Sequence, residues 1–402
     1  MNNNVSSALK SIVTHVYQEV DYYRQLFDEH ALDGNKTPRM QDFEQIPFLT
    51  IEELQNNESR LLANKYHFFP WTNKLELRRN SSFSGYLTKI YWDYNDNDNS
   101  NRLLANIRNK WYKTSESSKV CSFFGTFYIG NKLLPYAKNN LCNGEDNLLL
   151  HWENLTDDKM KDYLTKMDTL GVEWLRLRPS VALLLAEAIM KHSMPIPKSL
   201  RYLELFGELL HDEHRQFIQE TFQVELSYLY GSGEFNSVAF ECKHNRLHVL
   251  DDNVVVEIIK DGKSVTNKAG EICITSLTNY AMPLLRFMTG DCGVLTESQC
   301  PCGVKAPILQ LIESRPCSFI VTESGQKISN CVLETIIERT NEFMHHAVRQ
   351  FRIIQKGPND ISVGFSLKPA YISWQESIRQ EFLANIKEPG LLQANWNFMF
   401  TS

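Results

Sequence analysis

A short polar stretch, RRNSSFSGYLTKIYW (residues 78–92), has the small hydroxyl-bearing residues that a phosphate-binding loop needs. Phosphate loops bind oxygen through backbone N–H groups, and they use glycine where the backbone must take an unusual conformation. This stretch contains one glycine, Gly85. The pattern therefore leaves two interpretations open: a loop that still binds phosphate, or the remnant of one that has lost this capacity.

A second set of residues has the composition of a metal site. Cys300 and Cys302 form a Cys-x-Cys unit, and Cys242 and His248 form a Cys-x5-His unit in the preceding segment. Thiolate and imidazole donors suit Zn²⁺ in tetrahedral coordination. We expect a structural zinc, because four protein ligands leave no position for water. His244 competes with His248 as the fourth ligand, and separate buried thiols are the alternative.

Three longer segments identify a family: YLYGSGEFNSVAFEC (228–242), GEICITSLTNYAMPLLRFMTGDCG (270–293) and CPCGVKAPILQLIESRPCSFIVTESGQKIS (300–329). Their order and spacing resemble the phenylacetate-CoA ligase and coenzyme F390 synthetase-like branch of the AMP-forming adenylating enzymes, the ANL superfamily. The resemblance implies an enzyme that uses ATP and Mg²⁺ to convert a carboxylate into an acyl-adenylate. The acyl group then passes to a thiol such as that of coenzyme A.

The resemblance also implies roles for individual residues. Glu234 would be catalytic and bind Mg²⁺, with Lys89 as a second catalytic group. The nucleotide would contact Tyr230 beside adenine, Asp291 at the ribose, and Ser81, Ser84, Gly85, Gly207, Glu208, Gly231 and Arg315. Phe124 and Phe127 are candidates for the acyl pocket. A strand that enters a Gly-Ser-Gly turn also favours close approach of a ligand to the backbone, independently of the family.

Three features depart from the family pattern. In the phosphate loop, Ser82 replaces a glycine and Phe83 replaces a threonine. At the domain junction, Pro316 follows Arg315 where acidic residues are expected, and proline restricts a hinge. The sequence ends at NWNFMFTS, where members of the family typically continue into a Gly-Lys segment. We therefore expect no counterpart of the lysine that supports adenylation in the family. Loss of such a cation is expected to slow adenylation by orders of magnitude.

The composition and charge of the sequence argue against several classes of protein. The 402 residues are 43% hydrophobic and 22% charged, and the net charge of −6 includes no basic block, so nucleic-acid binding is not expected. No signal peptide or span of apolar residues long enough for a membrane is present in the sequence, which predicts a cytoplasmic protein. Nine cysteines without secretory features favour thiols or metal ligands over disulfides.

The predicted fold class is α/β, as an ANL fold with parallel and mixed sheets. A large domain is predicted over residues 1–315, with a β-rich subdomain at about 240–315, and a small α+β domain over 316–402. Helical periodicity predicts one helix over residues 5–27, and Thr50 with Glu53 predicts a capping box. The small domain is expected to run helix, strand, strand, helix, strand.

The leading functional hypothesis is an acyl or aryl carboxylate ligase with CoA or a carrier-protein thiol, or an amine, as acceptor, in a specialised biosynthetic pathway. A homodimer is expected, because dimers are usual in this branch. The alternatives are a pseudoenzyme that acts as an acyl-binding or scaffold subunit, and an acyltransferase that uses preformed activated acyl groups.

Overall fold

The structure is a computed structural model, and it describes residues 3–33, 43–67, 75–81, 85–124, 127–129, 132–134, 148–314 and 319–401. The chain divides into two compact units. Unit 1 comprises residues 1–111 and 229–314, and unit 2 comprises residues 112–228 and 315–402. The predicted boundary at residue 315 falls at one of the points where the chain passes between units. The two-domain scheme over 1–315 and 316–402 stays a prediction.

The described residues of unit 1 begin with a series of helices. They are α1 (Asn3–Glu19), α2 (Asp21–Glu29), α3 (Ile51–Asn56) and α4 (Glu58–Leu61), and a 3-10 turn follows at Asn64–Tyr66. The predicted capping box is confirmed: the Thr50 hydroxyl accepts from Glu53 N–H, and the Glu53 side chain accepts from Thr50 N–H. The single helix predicted over residues 5–27 is wrong. The backbone of buried Val20 is extended (φ −124°, ψ 110°), which ends α1 and starts α2 in a new direction.

Two sets of antiparallel strands follow in the described part of unit 1, together with most of a long helix over residues 94–112. The first is the hairpin of β1 (Leu75–Ser81) and β2 (Leu87–Asp93). The second has the strand order β13-β12-β14-β15-β16-β11-β10-β9. Its strands are β9 (Glu225–Ser232), β10 (Asn236–Glu241), β11 (Leu247–Val249), β12 (Val254–Lys260), β13 (Lys263–Val265), β14 (Gly270–Ser276), β15 (Phe287–Thr296) and β16 (Ile308–Glu313). The β-rich texture predicted after residue 240 is therefore present.

Unit 2 contains a parallel sheet with the order β8-β7-β3-β6. The strands are β3 (Val120–Phe124), β6 (Leu148–His151), β7 (Trp174–Leu177) and β8 (Tyr202–Phe206), and β4 (Phe127–Ile129) pairs separately with β5 (Lys132–Leu134). The helices that follow these strands are α6 (Asp157–Leu170), α7 (Pro179–His192) and α8 (Asp212–Phe222). The helix α5 (Tyr94–Tyr112) and the strand β9 contain points where the chain changes units.

Helix α7 shows how the sequence determines this unit locally. Pro179 occupies the first helical turn, where its missing N–H costs nothing, and Ser193 ends the helix in a left-handed conformation. Eight of its apolar side chains are buried, so α7 is a core helix on the parallel sheet.

The C-terminal part of unit 2 has the predicted order of elements. These are β17 (Phe319–Val321), β18 (Lys327–Ser329), α9 (Asn330–Phe343), β19 (Val348–Gly357), β20 (Asp360–Leu367), α10 (Gln375–Asn385) and β21 (Asn395–Thr401). Two 3-10 turns, Pro369–Trp374 and Pro389–Leu391, flank α10. The three strands β19, β20 and β21 form one sheet in that order. The helix, strand, strand, helix, strand prediction is confirmed.

Candidate functional site

The turn between β9 and β10 carries the predicted metal carboxylate, Glu234. The backbones approach so closely here that a Cβ atom on Gly231 would lie 2.0 Å from the carbonyl oxygen of Asn236. Only glycine fits this position. Glu234 is buried, and its Oε1 accepts a hydrogen bond of 2.7 Å from the hydroxyl of Thr88. The turn is therefore held tightly at both its backbone and its acidic side chain.

The structure brings two of the predicted nucleotide-binding residues into contact. The hydroxyl of Tyr230 donates to Asp291 Oδ2 at 2.7 Å. Asp291 follows Gly290, whose φ of +80° lies in the left-handed region, and its backbone N–H donates to Thr289 Oγ1 at 3.1 Å. The bond links β9 to β15 at the point where the turn with Glu234 begins, so Tyr230, Glu234 and Asp291 belong to one region of unit 1.

The predicted phosphate loop connects the two strands of the β1–β2 hairpin. Ser81 pairs with Leu87 at the end of the ladder, and Gly85 has a φ of +80°, which glycine tolerates without strain. The side chain of Ser81 and residues 82–84, which include Ser84 and the substituted Ser82 and Phe83, lie outside the described residues. Their predicted contact with phosphate stays a prediction.

Lys89, the second predicted catalytic residue, lies beside Glu58. Side chains alternate along β2, so Thr88 and Lys89 point to opposite faces. The Lys89 ammonium lies 3.7 Å from a carboxylate oxygen of Glu58, and both side chains are about one-fifth exposed. Thr88, which the sequence reasoning did not single out, makes the contact with Glu234. The alternation of side chains along a strand could have identified Thr88 if a β-hairpin had been predicted for this segment.

Arg286 is another residue that the sequence reasoning missed. Its guanidinium is 3% exposed and makes two hydrogen bonds to Glu257, at 3.1 and 3.0 Å. It also donates to the carbonyl oxygens of Glu44 and Ile46, which fixes the segment before α3. Burial raises the pKa of Glu257, and the neighbouring Arg286 opposes this rise. The pair holds the start of β15, the strand that carries Asp291.

The four predicted zinc ligands lie together in unit 1. The donor atoms of Cys242, His248, Cys300 and Cys302 are all within 4.8 Å of one another. The sulfurs of Cys242 and Cys300 are 3.7 Å apart, and His248 Nε2 lies 3.2 Å from the sulfur of Cys302. With zinc–sulfur bonds of about 2.3 Å, tetrahedral geometry separates two sulfur ligands by about 3.8 Å.

The structure distinguishes His248 from His244 as the fourth residue of the cluster. His248 belongs to the cluster, whereas the side chain of His244 is exposed and is not part of it. His248 Nδ1 lies 3.3 Å from the carbonyl oxygen of Ala306, which leaves Nε2 for the cluster. Three sulfurs and one imidazole nitrogen are a donor set that suits Zn²⁺.

In unit 2, the predicted residues Gly207 and Glu208 follow β8. Gly207 has a φ of +82°, and Glu208 is almost fully buried. The Glu208 carboxylate accepts from the backbone N–H and the hydroxyl of Ser180, at 2.9 and 2.8 Å. Burial raises the pKa of Glu208, while Arg178 and Ser180 act in the opposite direction. The carboxylate is therefore committed to protein groups at the start of α7.

The same network reaches the C-terminal part of unit 2. Arg178 donates to Glu334 on α9 at 2.7 Å, and the hydroxyls of Ser180 and Ser329 are 2.6 Å apart. These groups are buried or nearly so. Residues 319–401 are consequently joined to α7 and β8 by buried polar contacts, which the sequence did not indicate.

The remaining predicted positions give less information. Phe124 ends β3 with its ring 6.5 Å from that of Trp152. Phe127 starts β4, but its side chain lies outside the described residues, as do Arg315 and the junction residues up to 318. The roles predicted for Phe127 and Arg315 stay predictions. None of the helices in the described ranges is both long and apolar enough to cross a bilayer.

Comparison with solved structures defines the fold class. A 2-hydroxyisobutyryl-CoA ligase in complex with 2-HIB-AMP and CoA covers 98% of this chain and 85% of its own, with a TM-score of 0.65 and 15% identity. An open conformation of that ligase covers 99% of this chain and 87% of its own, with a TM-score of 0.61 and 15% identity. The chain thus has the predicted ANL fold of adenylate-forming ligases.

Sequence comparison confirms the more specific resemblance. A phenylacetate-coenzyme A ligase of Thermus thermophilus is 25% identical over 307 residues, which are 73% of this chain and 66% of the relative. The corresponding ligase of Pseudomonas putida is 24% identical over 300 residues, which are 70% of this chain and 64% of the relative. The chain thus spans slightly less than two thirds of these curated relatives. No family model matches it.

Proposed function

We propose that the protein is an AMP-forming ligase that activates an acyl or aryl carboxylate as its adenylate and transfers the acyl group to the thiol of CoA. The observation that carries this proposal is the grouping in unit 1 of Tyr230, bonded to Asp291, with Glu234 on the adjoining turn. The similarity to two phenylacetate-CoA ligases and the fold shared with a CoA ligase support it.

Different side chains of unit 1 are proposed to bind different parts of the nucleotide and its cation. Asp291 would accept hydrogen bonds from the ribose hydroxyls, and Tyr230 would contact adenine while its 2.7 Å bond fixes the orientation of Asp291. Glu234 binds the divalent cation, because a carboxylate is the hard oxygen donor that Mg²⁺ prefers. Gly231 keeps the backbone open at a point that a side chain would fill.

Bound Mg²⁺ and ATP supply the phosphoryl electrophile and neutralise the charge that develops on it. The protein must hold the carboxylate substrate in line with that phosphate and exclude water. We assign the phosphate contact to the backbone N–H groups around Gly85, with the hydroxyls of Ser81 and Ser84. Lys89 remains a proposed catalytic residue, Gly207, Glu208 and Arg315 remain proposed binding residues, and Phe124 and Phe127 remain proposed pocket residues.

We propose in addition that Cys242, His248, Cys300 and Cys302 bind one structural zinc ion. The measured sulfur separation of 3.7 Å supports this, because it matches the edge of a zinc tetrahedron. The ion would join the loop after β15 to the turn between β10 and β11, and so hold the end of the antiparallel sheet together.

The setting of the reaction is also proposed. We expect CoA as the acceptor, since the similar proteins are named as CoA ligases, with a carrier-protein thiol as the other acceptor. A homodimer, a cytoplasmic location and a place in a biosynthetic pathway are the further expectations.

Product analysis tests the proposed activity. The purified protein is incubated with ATP, Mg²⁺, CoA and one acid at a time: phenylacetate, benzoate, 2-hydroxyisobutyrate and short straight-chain acids. We expect AMP and one acyl-CoA in equal amounts, identified by mass spectrometry. ADP as the product would contradict an AMP-forming ligase. An acid that binds without yielding either product would favour the acyl-binding subunit instead.

A further inference from the structure

We propose that Thr88 is a positioning residue that orients Glu234 toward the divalent cation. The inference rests on the proposed function of Glu234. It assigns a role to a residue that neither the sequence pattern nor the comparisons single out.

The geometry of the contact suits an orienting role. Thr88 is 2% exposed and Glu234 is 4% exposed, and the bond between Thr88 Oγ1 and Glu234 Oε1 is 2.7 Å long. A hydroxyl donor to a carboxylate is among the stronger hydrogen bonds. Threonine is also β-branched, so its χ1 angle is restricted and its donor is held in place before the cation arrives. The bond therefore removes rotational freedom from the Glu234 carboxylate.

Two further contacts tie the same hairpin to the same turn. Trp92 lies four residues after Thr88 on the same face of β2, and its Nε1 donates to the carbonyl oxygen of Gly233 at 2.9 Å. Arg78 on β1 donates to the side chain of Asn236, at the other end of the turn. Among the described residues, side chains of this one hairpin thus make hydrogen bonds to the turn at Gly233, Glu234 and Asn236.

Thr88 lies near the end of the β1–β2 ladder. Thr88 pairs with Asn80, one step from the Ser81–Leu87 pair that closes the ladder, and it follows Gly85 by three residues. Lys89, the neighbouring residue, lies on the opposite face beside Glu58.

The alternative is that Thr88 stabilises the fold and nothing more. Three variants separate the two roles. Thr88→Val keeps the shape and removes the donor, whereas Thr88→Ser keeps the donor and removes a methyl group. Thr221→Val is the matched control, because Thr221 is also a buried threonine, and its hydroxyl donates to the carbonyl oxygen of Phe217 in α8.

The experiment measures the Mg²⁺ concentration that gives half-maximal adenylate formation, together with KM for the acid and the thermal unfolding midpoint. We expect this Mg²⁺ concentration to rise roughly tenfold in Thr88→Val, as for the loss of one hydrogen bond to a charged group. KM for the acid should stay the same. Thr88→Ser should retain the wild-type value, and so should Thr221→Val.

A direct binding measurement keeps this test separate from the proposed activity. Mn²⁺ is titrated against the protein with ATP and no acid, and the free ion is followed by electron paramagnetic resonance. Weaker Mn²⁺ binding in Thr88→Val than in wild type supports the positioning role even if no acid is turned over. Equal Mn²⁺ affinity in both proteins, or an equal loss in Thr88→Val and Thr88→Ser, would overturn it.

Discussion

The buried ion pair of Arg286 and Glu257 offers a test of how the candidate site is supported. Both side chains are less than 5% exposed, and two hydrogen bonds join them. Glu257→Gln removes the negative charge and leaves the guanidinium buried among neutral groups. Phe287, the first residue of β15, follows Arg286 directly, so a disturbance here reaches the strand that carries Asp291.

The expected magnitude follows from this geometry. Breaking a buried pair by removing one partner costs roughly 3–5 kcal/mol, because the remaining charge is uncompensated. Glutamine retains one acceptor, so we expect the lower end, about 3 kcal/mol. At roughly 1–2 °C per kcal/mol for a chain of this length, the unfolding midpoint should fall by about 3–6 °C.

Thermal unfolding followed by circular dichroism measures this effect. Glu376→Gln is the matched control, because Glu376 and Arg379 form an exposed pair that is 65% and 49% accessible. Loss of this exposed ion pair should lower the free energy of unfolding by less than about 1 kcal/mol. In a double-mutant cycle, the variant with both Glu257→Gln and Arg286→Met should lose less stability than the sum of the losses in the two single variants. Additive losses, or a midpoint unchanged in Glu257→Gln, would refute the reasoning.

Three further outcomes are expected. Cys300→Ser should lower the zinc content, measured by atomic absorption, well below one ion per chain. Cys273 is a buried cysteine outside the cluster, so Cys273→Ser should keep its zinc. Equal zinc content in both variants would contradict the ligand assignment. Burial lowers the pKa of His15 below its usual 6.5, so protonation favours the unfolded chain and stability should fall as the pH drops through 6.5. His15→Gln should lose less stability than wild type between pH 8 and pH 5 in urea titrations, and identical losses would contradict this. Gly231→Ala should unfold at a lower urea concentration, since its Cβ would lie 2.0 Å from the Asn236 oxygen; wild-type stability would mean that the turn is open.

Local patterns predicted much of the fold. The capping box at Thr50 depends on neighbours in the sequence, and so do the helix that begins at Pro179 and the alternation of elements after residue 329. The break at Val20 was not predicted, because the periodicity of apolar residues continues through it. Only tertiary packing distinguishes one helix from two at that point.

The candidate site residues were singled out where a motif contains them, and contacts between distant residues were missed. Asp291 lies in a recognisable segment, and the spacing of four donors indicated the cysteine cluster. Thr88 and Arg286 act through partners 146 and 29 residues away, and no pattern in their own segments identifies those partners. Lys89 was predicted from its place downstream of the family's phosphate-loop pattern, and the structure places its ammonium beside Glu58.

Exchange of labelled pyrophosphate into ATP tests the central claim most directly, because it reports formation of the acyl-adenylate without any acceptor. We predict exchange that depends on one acid of the panel, and a loss of most of it in Glu234→Gln and in Asp291→Ala while both variants remain folded. Exchange that persists unchanged in both variants would show that the site lies elsewhere. Exchange with none of the acids, in protein that is folded and binds ATP, would contradict the proposed ligase.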